Sequence, residues 1–321
     1  LKARNYHTAD ATKIYYQGAG AALVSANQTL EVTLNALDKI ARNSPSDRLS
    51  LAAVFGGSHA KVKTGSHVKV DNLTAALLLA KKTELSFGQI TVGAFGEFGR
   101  GNYDAYSYIP RYGEIFGDGD VDTYGGGLYF KAKFKQNTFV ELSVRGGGAS
   151  NEFKVNKDPW LLHPENHSYE TDNAYYGAHF GLGHTFTLGE KTSLDGYGRY
   201  FWTRSDGDKF ETRLGDKITL DAVDSQRARV GARLNHSFLE DKVNFYVGAA
   251  AEREFDGEIN GHLNRDRPTD VPELIGTSGF GEIGISLKPT DSQNFVINAE
   301  AFGWAGNQEG VGGTLALGFN F

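Results

Sequence analysis

The sequence predicts a transmembrane all-β fold: a 12-stranded antiparallel outer-membrane β-barrel with an N-terminal α-helix inside its lumen. Three observations predict this fold. From about residue 48 onward, apolar residues recur at every second position in about twelve segments, which is the period of a β-strand. The face opposite these apolar residues combines glycine with charged residues. The connections between segments alternate between short and long, as they do in transmembrane barrels.

The composition excludes several classes of protein. The 321 residues include no cysteine, so disulfides, a thiolate nucleophile and a cysteine-ligated metal are excluded. The formal net charge of -6 provides no basic field for nucleic acid, so we expect no nucleic-acid partner. No run of about 18 apolar residues is present, so the sequence predicts no transmembrane helix.

The first part of the chain differs from the rest and is predicted to be a linker over residues 1–47. An α-helix is predicted over about residues 18–41, where Leu23, Leu30 and Leu34 recur at roughly helical spacing. Asn27 and Asn35 interrupt this apolar stripe, which indicates a confined and polar environment. Such a helix is roughly 36 Å long at 1.5 Å per residue, long enough to thread a pore across a membrane. Pro45 ends it.

The barrel is predicted over residues 48–321. Each of its segments is long enough for the roughly 9–11 residues that a tilted strand needs to cross a bilayer. The predicted strands lie near residues 48–58, 67–81, 86–100, 119–135, 138–152, 170–187, 192–205, 217–237, 242–257, 273–288, 293–304 and 309–321. Long connections are predicted at residues 99–121, 147–169, 204–217 and 254–272.

The two faces of these strands are predicted to meet lipid and lumen. In the last segment Leu315, Leu317, Phe319 and Phe321 share one apolar face. Aromatic residues on the apolar side, many near strand ends, are typical of interfacial girdles. They are Tyr124, Phe130, Tyr176, Phe180, Phe186, Tyr200, Trp202, Phe238, Phe245 and Phe321. The charged residues predicted to face the lumen are Glu97, Lys131, Glu141, Arg145, Asp195, Arg199, Arg229, Arg233, Glu252, Glu254 and Glu300.

A soluble β-sandwich is the alternative fold, because it also has strands of period two. In a sandwich the charged residues would lie in solvent. The barrel is favoured because the strands are long and even in number. The chain also ends on a strand, "GGTLALGFNF", whose edge stays unpaired unless the sheet closes on itself.

Several stretches resemble the C-terminal translocator β-domain of autotransporters, the type V secretion family. The strands "SLDGYGRYFWTRSDGD", "DSQRARVGARLN" and "FYVGAAAEREFDG" carry this resemblance, as does "TGSHVKVDNLTAALLLA" for the second strand. The terminal "GFNF" is similar to the aromatic ending that outer-membrane proteins share. The resemblance covers nearly all of residues 1–321.

The resemblance implies a function in protein transport. The barrel would anchor in the bacterial outer membrane and deliver an N-terminal passenger, not included in this sequence, to the cell surface. Phe319 and Phe321 would be the signal that the barrel-assembly machinery recognises. The expected partners are outer-membrane lipid and lipopolysaccharide, the barrel-assembly machinery and the passenger. We expect a monomer, with its passenger side facing the cell exterior.

Two other functions remain open at this stage. One is an outer-membrane enzyme barrel, a protease or phospholipase, and the other is a plugged diffusion channel. We expect no enzyme, because the spacing shows no Ser/His or Asp/His constellation. We expect no cofactor and no metal. His163 and His167 have helical spacing, but Pro164 lies between them, and loop polarity explains them better.

Overall fold

The computed structural model describes residues 13–109, 113–157, 168–211, 215, 217–239, 242–263, 271–289 and 294–321. Within these residues one helix precedes fifteen strands. The elements are α1 Lys13–Asn43, β1 Leu49–Lys63, β2 His67–Leu85, β3 Gly88–Ile109, β4 Gly113–Phe134, β5 Thr138–Lys157, β6 Ser168–Thr187, β7 Thr192–Ser205, β8 Asp208–Glu211, β9 Lys217–Leu220, β10 Val223–Phe238, β11 Val243–Glu254, β12 Gly261–Leu263, β13 Gly276–Leu287, β14 Phe295–Gly306 and β15 Gln308–Asn320.

Twelve of these strands close into one antiparallel barrel. Their order is β1-β15-β14-β13-β11-β10-β7-β6-β5-β4-β3-β2. The first and last strands pair from Ser50 with Asn320 to Val62 with Gln308, so the final strand has no open edge. The predicted fold, a 12-stranded barrel with an N-terminal helix, is confirmed. We call the end of the barrel at Leu49 and Phe321 the terminal rim and the opposite end the distal rim.

The predicted single strand over 217–237 is wrong. The chain breaks after Leu220, and β9 leaves the barrel to join β8 and β12 in a separate three-stranded sheet. Asp221 donates its backbone N–H to Asn260 O at 3.0 Å, which holds this small sheet together beyond its last strand residue. Both β9 and β10 have one buried face, so their apolar residues alternate with period two in the same way. The break between them is therefore visible only in which strands they pair with.

Two predicted long connections are also largely wrong. Residues 99–121 and 147–169 are mostly strand, because β3 to β6 are 20–22 residues long. The apolar face changes sides along these strands. Near the distal rim the outward residues are polar, such as Arg100 and Asp120, whereas Tyr103 and Phe153 are buried inside. The outward apolar pattern ends where the strand leaves the membrane, although the strand itself continues.

Helix α1 lies inside the barrel and is longer than predicted. It has 31 residues, about 47 Å at 1.5 Å per residue, against the predicted 18–41. All its residues are buried except Ala19 and Arg42, which are partly buried. Within the described residues, no helix has the length and apolar character of a membrane span.

Two glycines near the start of α1 lie against large side chains. Glycine weakens an isolated helix by about 1 kcal/mol relative to alanine. Here the space beside each glycine is occupied. A Cβ on Gly18 would lie 2.2 Å from Tyr169 Oη, and one on Gly20 would lie 2.5 Å from Ile259 Cδ1.

The outer surface carries a broad apolar band. Large apolar side chains point outward on all sides of the barrel and are exposed, among them Leu73, Leu77, Tyr124, Leu182, Val230, Ile283 and Leu315. The inner surface alternates with them and, over the same height, carries buried charged residues on one side and an apolar cluster on another. This is the arrangement expected of strands that meet lipid outside and a filled polar lumen inside.

Candidate functional site in the barrel lumen

The candidate site is the interface between α1 and the inner wall of the barrel. It has two regions. The ionic network joins residues of α1 to charged wall residues in the part of the lumen surrounded by the apolar band. The apolar collar surrounds the start of α1 at the distal rim and consists of Ile14, Tyr16, Tyr103, Phe153, Tyr169, Ile218, Leu220, Ile259 and Leu274.

Glu31 on the helix is bound by Arg229 on β10. The guanidinium donates two hydrogen bonds of 2.7 Å, one to each carboxylate oxygen of Glu31. Its Nε donates to Glu252 Oε2 at 2.8 Å. Arg229 and Glu31 are both almost fully buried. A bidentate pair of this kind fixes the orientation of both partners, because the planar fork matches only one carboxylate placement.

Asp38, two turns further along the helix, is surrounded by cations. Arg233 Nη1 donates to its Oδ2 at 2.8 Å, and Lys131 Nζ also contacts it. Arg199 and Arg42 lie within 3.9 Å. Arg233 is held in turn by two hydrogen bonds to Glu282, at 2.8 and 2.7 Å. Each buried charge in this group therefore has an opposite charge beside it, without which its burial would be very unfavourable.

Glu300 on β14 provides the third contact with the helix. Asn35 Nδ2 donates to its Oε1 at 2.7 Å, and Tyr246 Oη donates to its Oε2 at 2.6 Å. Lys39 Nζ lies 3.6 Å from the same Oε2 and 3.6 Å from the centre of the Tyr246 ring. A cation over an aromatic face is attracted to it, so Lys39 has favourable contacts on two sides.

The five residues predicted for the pore helix all lie in α1 and are all buried. Asn27 accepts a hydrogen bond from Thr203 at 2.9 Å and donates to Ser225 at 3.1 Å. Leu23 packs in the apolar collar. Leu30 and Leu34 lie in a second apolar cluster with Val54 and Leu78 of β1 and β2. The helix thus meets an apolar wall on one side and the charged wall on the other.

The eleven charged residues predicted to face the lumen are all buried on the inner side of the barrel. Five of them touch the helix through ionic side chains already described: Lys131, Arg199, Arg229, Arg233 and Glu300. Arg145 donates to Glu97 at 2.9 Å and to the helix carbonyl of Ala26 at 3.1 Å. Glu254 accepts a hydrogen bond of 2.6 Å from Ser225.

The predicted wall charges also contact one another and the end of the helix. Arg199 donates to Glu141 at 2.7 Å, beside Lys131, whose Nζ lies 3.3 Å from the same carboxylate group. Asp195 pairs with Arg42 of the helix at 2.8 Å. Glu252 supports Arg229. Most of the wall charges thus belong to two groups of linked ion pairs, one around Asp38 and one around Arg229, while Arg145 and Glu97 form a separate pair.

Sequence reasoning missed the charged residues of the helix itself, namely Glu31, Asp38, Lys39 and Arg42. A usable signal was present. Positions 31, 35, 38, 39 and 42 follow the i, i+4, i+7, i+8 and i+11 spacing of one helix face. Charges on one face of a helix enclosed by a charged wall have to meet opposite charges. Glu282, also missed, lies two residues after Phe280 on the same strand and is buried on the same inner face.

The two terminal aromatic residues lie at the terminal rim and face outward. Their side chains are exposed, and their rings pack edge to face with centres 4.8 Å apart. Phe321 donates its backbone N–H to Leu49 O at 2.9 Å. The last residue is therefore tied to the first strand, while its side chain remains on the outer surface.

The lumen offers little for metal chemistry. In the described parts of the chain, no group of three His, Cys, Asp or Glu residues could hold a metal ion. His179 is buried, stacks on Phe201 with ring centres 5.1 Å apart, and has Nε2 3.5 Å from Glu141. His163 and His167 lie outside the described residues. The arrangement serves to seat a helix in a closed pore.

Comparisons with known proteins agree with this architecture. The family model described as "Autotransporter beta-domain" matches residues 51–300. Among curated proteins no sequence matches the chain. The translocator domain of autotransporter NalP from Neisseria meningitidis has a similar fold, with a TM-score of 0.70 at 14% identity, covering 97% of this chain and 100% of that one.

Two further solved structures are similar in fold. The β-domain of the Bordetella autotransporter BrkA gives a TM-score of 0.64 at 13% identity, covering 86% of this chain and 100% of that one. The transport unit of autotransporter AIDA-I from Escherichia coli gives 0.61 at 18% identity, covering 92% and 98%. At these identities the likeness concerns the fold alone.

Proposed function

Because the chain belongs to the autotransporter β-domain family, we propose that it anchors in the outer membrane and delivers an N-terminal passenger to the cell surface. The barrel fold of this family is that of an outer-membrane protein. The proposed role is mechanical. The barrel provides the conduit, and α1 is the segment that stays in the lumen once the passenger has passed.

The course of α1 is the observation that carries this proposal. Gly18 packs near Tyr103 and Tyr169 at the distal rim, whereas Asn43 donates to Asn298 and Ser286 at the terminal rim. The helix therefore crosses the whole lumen. Its first residue, Lys13, lies beside Gly65 at the distal rim, and both ends of the barrel sheet lie at the terminal rim.

The lengths of the connections support the orientation in the proposal. At the terminal rim β2–β3, β4–β5 and β6–β7 are joined by short turns. At the distal rim β3 to β6 extend as long hairpins, and Ile218 and Leu220 of the small sheet pack with the start of α1. Barrels of the outer membrane have short turns in the periplasm and long loops outside. We therefore assign the distal rim, and the passenger, to the cell exterior.

An epitope tag placed before Leu1 tests the proposed direction. On intact cells that express the chain with a signal peptide, we expect an antibody to reach this tag. The matched control is the same tag inserted in the short β4–β5 turn at Gln136, which we expect to be hidden until the outer membrane is opened. Exposure of both tags would indicate leaky cells. A hidden tag before Leu1 would contradict delivery and favour a plugged channel.

The barrel-assembly machinery is the partner that we propose for Phe319 and Phe321. Their exposed side chains at the end of the closing strand would be available before insertion. Deleting Phe321 should lower the amount of barrel in the outer membrane severalfold. As the control, Phe238→Ala removes another exposed aromatic ring and should leave that amount nearly unchanged. Equal amounts of both variants in the membrane would contradict the assignment.

The proposed surroundings of the barrel follow from its surface. The apolar band would contact outer-membrane lipid, and the charged outward residues above it, such as Lys69 and Arg100, would contact lipopolysaccharide. A barrel whose lumen is filled by its own helix needs no second copy to complete it. We therefore propose that it works as a monomer.

A further inference from the structure

A cavity of about 80 Å³ opens at the terminal rim between the end of α1 and the wall. Four of the residues lining it are charged, and all four are cationic: Arg42, Lys82, Lys131 and Lys133. A cavity needs only about 10–15 Å³ to hold one water. This space therefore accommodates a group larger than a single water molecule.

The nearby carboxylates do not neutralise all four cations. Lys131 is paired with Asp38 and Glu141, and Arg42 is paired with Asp195 through Nη1. Among the described residues, the other two cations have no such partner. Lys82 donates to main-chain oxygens, Arg42 O at 3.2 Å and Ser44 O at 2.6 Å. In the described part of the chain, Lys133 forms no ion pair.

Donors for a ligand remain available on both the helix and the wall. Arg42 Nε is buried and has no hydrogen-bond partner among the described residues. An ammonium has three donors, so Lys82 keeps one after its two carbonyl contacts. The positive charges of Lys288, Lys133, Lys131 and Arg42 act on Lys82 together. An anion placed among them would relieve this repulsion.

We propose that this cavity is a binding site for an oxyanion of the phosphate class. A phosphate group is the ligand for which several convergent ammonium and guanidinium donors are suited. It would bridge Arg42 at the end of the helix to Lys82 and Lys133 on the wall. Binding would thus fasten the helix at the terminal rim, whether or not a passenger has been delivered.

The carbonyl ends of a helix repel an anion, so the position beside the end of α1 needs an explanation. Lys82 explains it, because its ammonium donates hydrogen bonds to the carbonyl oxygens of Arg42 and Ser44. The ammonium shields the ligand from the helix terminus. It also explains why the lysine is buried here instead of extending into solvent.

Calorimetric titration of the purified full chain with inorganic phosphate tests the proposal. The detergent contains no phosphate, and chloride keeps the ionic strength constant. We expect saturable phosphate binding that chloride at the same ionic strength does not reproduce. Hydrogen exchange of the amides at residues 38–44 should slow in phosphate. The absence of saturable binding, or an equal effect of chloride, would overturn the proposal.

Three variants locate the site. Among the described residues, Lys133 forms no hydrogen bond or ion pair with the helix. Lys133→Gln therefore removes one donor without disturbing the helix and should weaken phosphate binding about tenfold. Lys82→Gln should weaken it at least as much. The matched control is Lys81→Gln, one residue earlier on β2, whose side chain points outward and is exposed; binding should change less than twofold. An equal loss in the control would show non-specific attraction and overturn the proposal.

The phosphate group has two sources, which glycerol 3-phosphate distinguishes. If inorganic phosphate and glycerol 3-phosphate bind alike, the site takes a free anion. If glycerol 3-phosphate binds more than tenfold tighter, the site takes the headgroup of a phospholipid. Either result supports an oxyanion site. If neither binds to the wild type more tightly than to Lys133→Gln, the proposal is wrong.

Discussion

The ionic network and the apolar collar hold the same helix by opposite means. In the network, Glu31 and Asp38 are met by guanidinium and ammonium groups at hydrogen-bond distance. In the collar, Tyr16 and Ile14 are buried among aromatic and branched side chains. The difference follows the position relative to the membrane. Within the apolar band the lipid requires apolar residues outside, and charged wall residues can face the lumen there beside the apolar cluster of Leu30 and Leu34.

Beyond the band the requirement is reversed. The outer face of β3 to β6 meets water there, so its apolar residues turn inward and form the collar.

The two regions also differ in what they contribute. Buried ion pairs add little net stability, because desolvation offsets their attraction, but removing one partner is strongly destabilising. Apolar burial is non-directional and stabilises in proportion to area. We infer that the network fixes the position of the helix and the collar holds it.

The largest effect is expected from Arg229→Ala. It leaves Glu31 and Glu252 buried without their main partner, and breaking a buried pair costs about 3–5 kcal/mol. The free energy of unfolding in detergent and amide exchange of α1 measure this loss. The control is Arg100→Ala, because the Arg100–Asp122 pair at 3.7 Å is exposed. If both variants lose the same stability, the ionic network does not hold the helix.

A somewhat smaller effect is expected from Ile259→Ala in the collar. This side chain is fully buried and packs against α1 at Gly20. Truncation of a buried isoleucine costs about 2–5 kcal/mol, and we expect the lower part of this range because loops relax. Amide exchange should accelerate at residues 13–24 and stay unchanged at residues 31–42. Equal acceleration along the whole helix would show that the two regions act as one.

The two buried asparagines of the helix differ in their partners, which are neutral for Asn27 and charged for Asn35. Among the described residues, the Asn27 side chain bonds only hydroxyl groups, so Asn27→Ala should cost about 1 kcal/mol. Asn35 donates to the Glu300 carboxylate at 2.7 Å, so Asn35→Ala should cost about 1.5–3 kcal/mol. Denaturant unfolding measures both. The reverse order would indicate that Tyr246 and Lys39 satisfy Glu300 without the asparagine.

The smallest effect is expected from Lys63→Gln at the distal end of the closing seam. Lys63 pairs with Glu309 at 2.9 Å between β1 and β15, but both side chains are about half exposed. Exposed ion pairs contribute little because water screens them. Unfolding of the variant should match that of the wild type. A loss as large as that of Asn35→Ala would show that the seam depends on this pair.

The sequence alone predicted the barrel strands well and the helix less well. The period-two pattern placed all twelve barrel strands, because lipid imposes an apolar residue at every second outward position. It placed their distal ends too early. Beyond the membrane the outward residues, such as Arg100 and Asp120, are polar, so the alternation of apolar residues ends although the strands continue. It also merged β9 with β10, because both have one buried face and nothing in the residues marks the change of partner.

What the sequence determined by itself is therefore the strand count, the inward and outward faces, and the presence of a polar helix before the barrel. These depend on local periodicity and on the solvent that each face meets. The tertiary structure decided which charges pair, as when Glu31 meets Arg229 and Asp38 meets Arg233, and how Ile259 packs over Gly20. Such contacts join residues about 200 positions apart in the chain. They depend on the rotation and depth of the helix in the closed barrel, which no local pattern encodes.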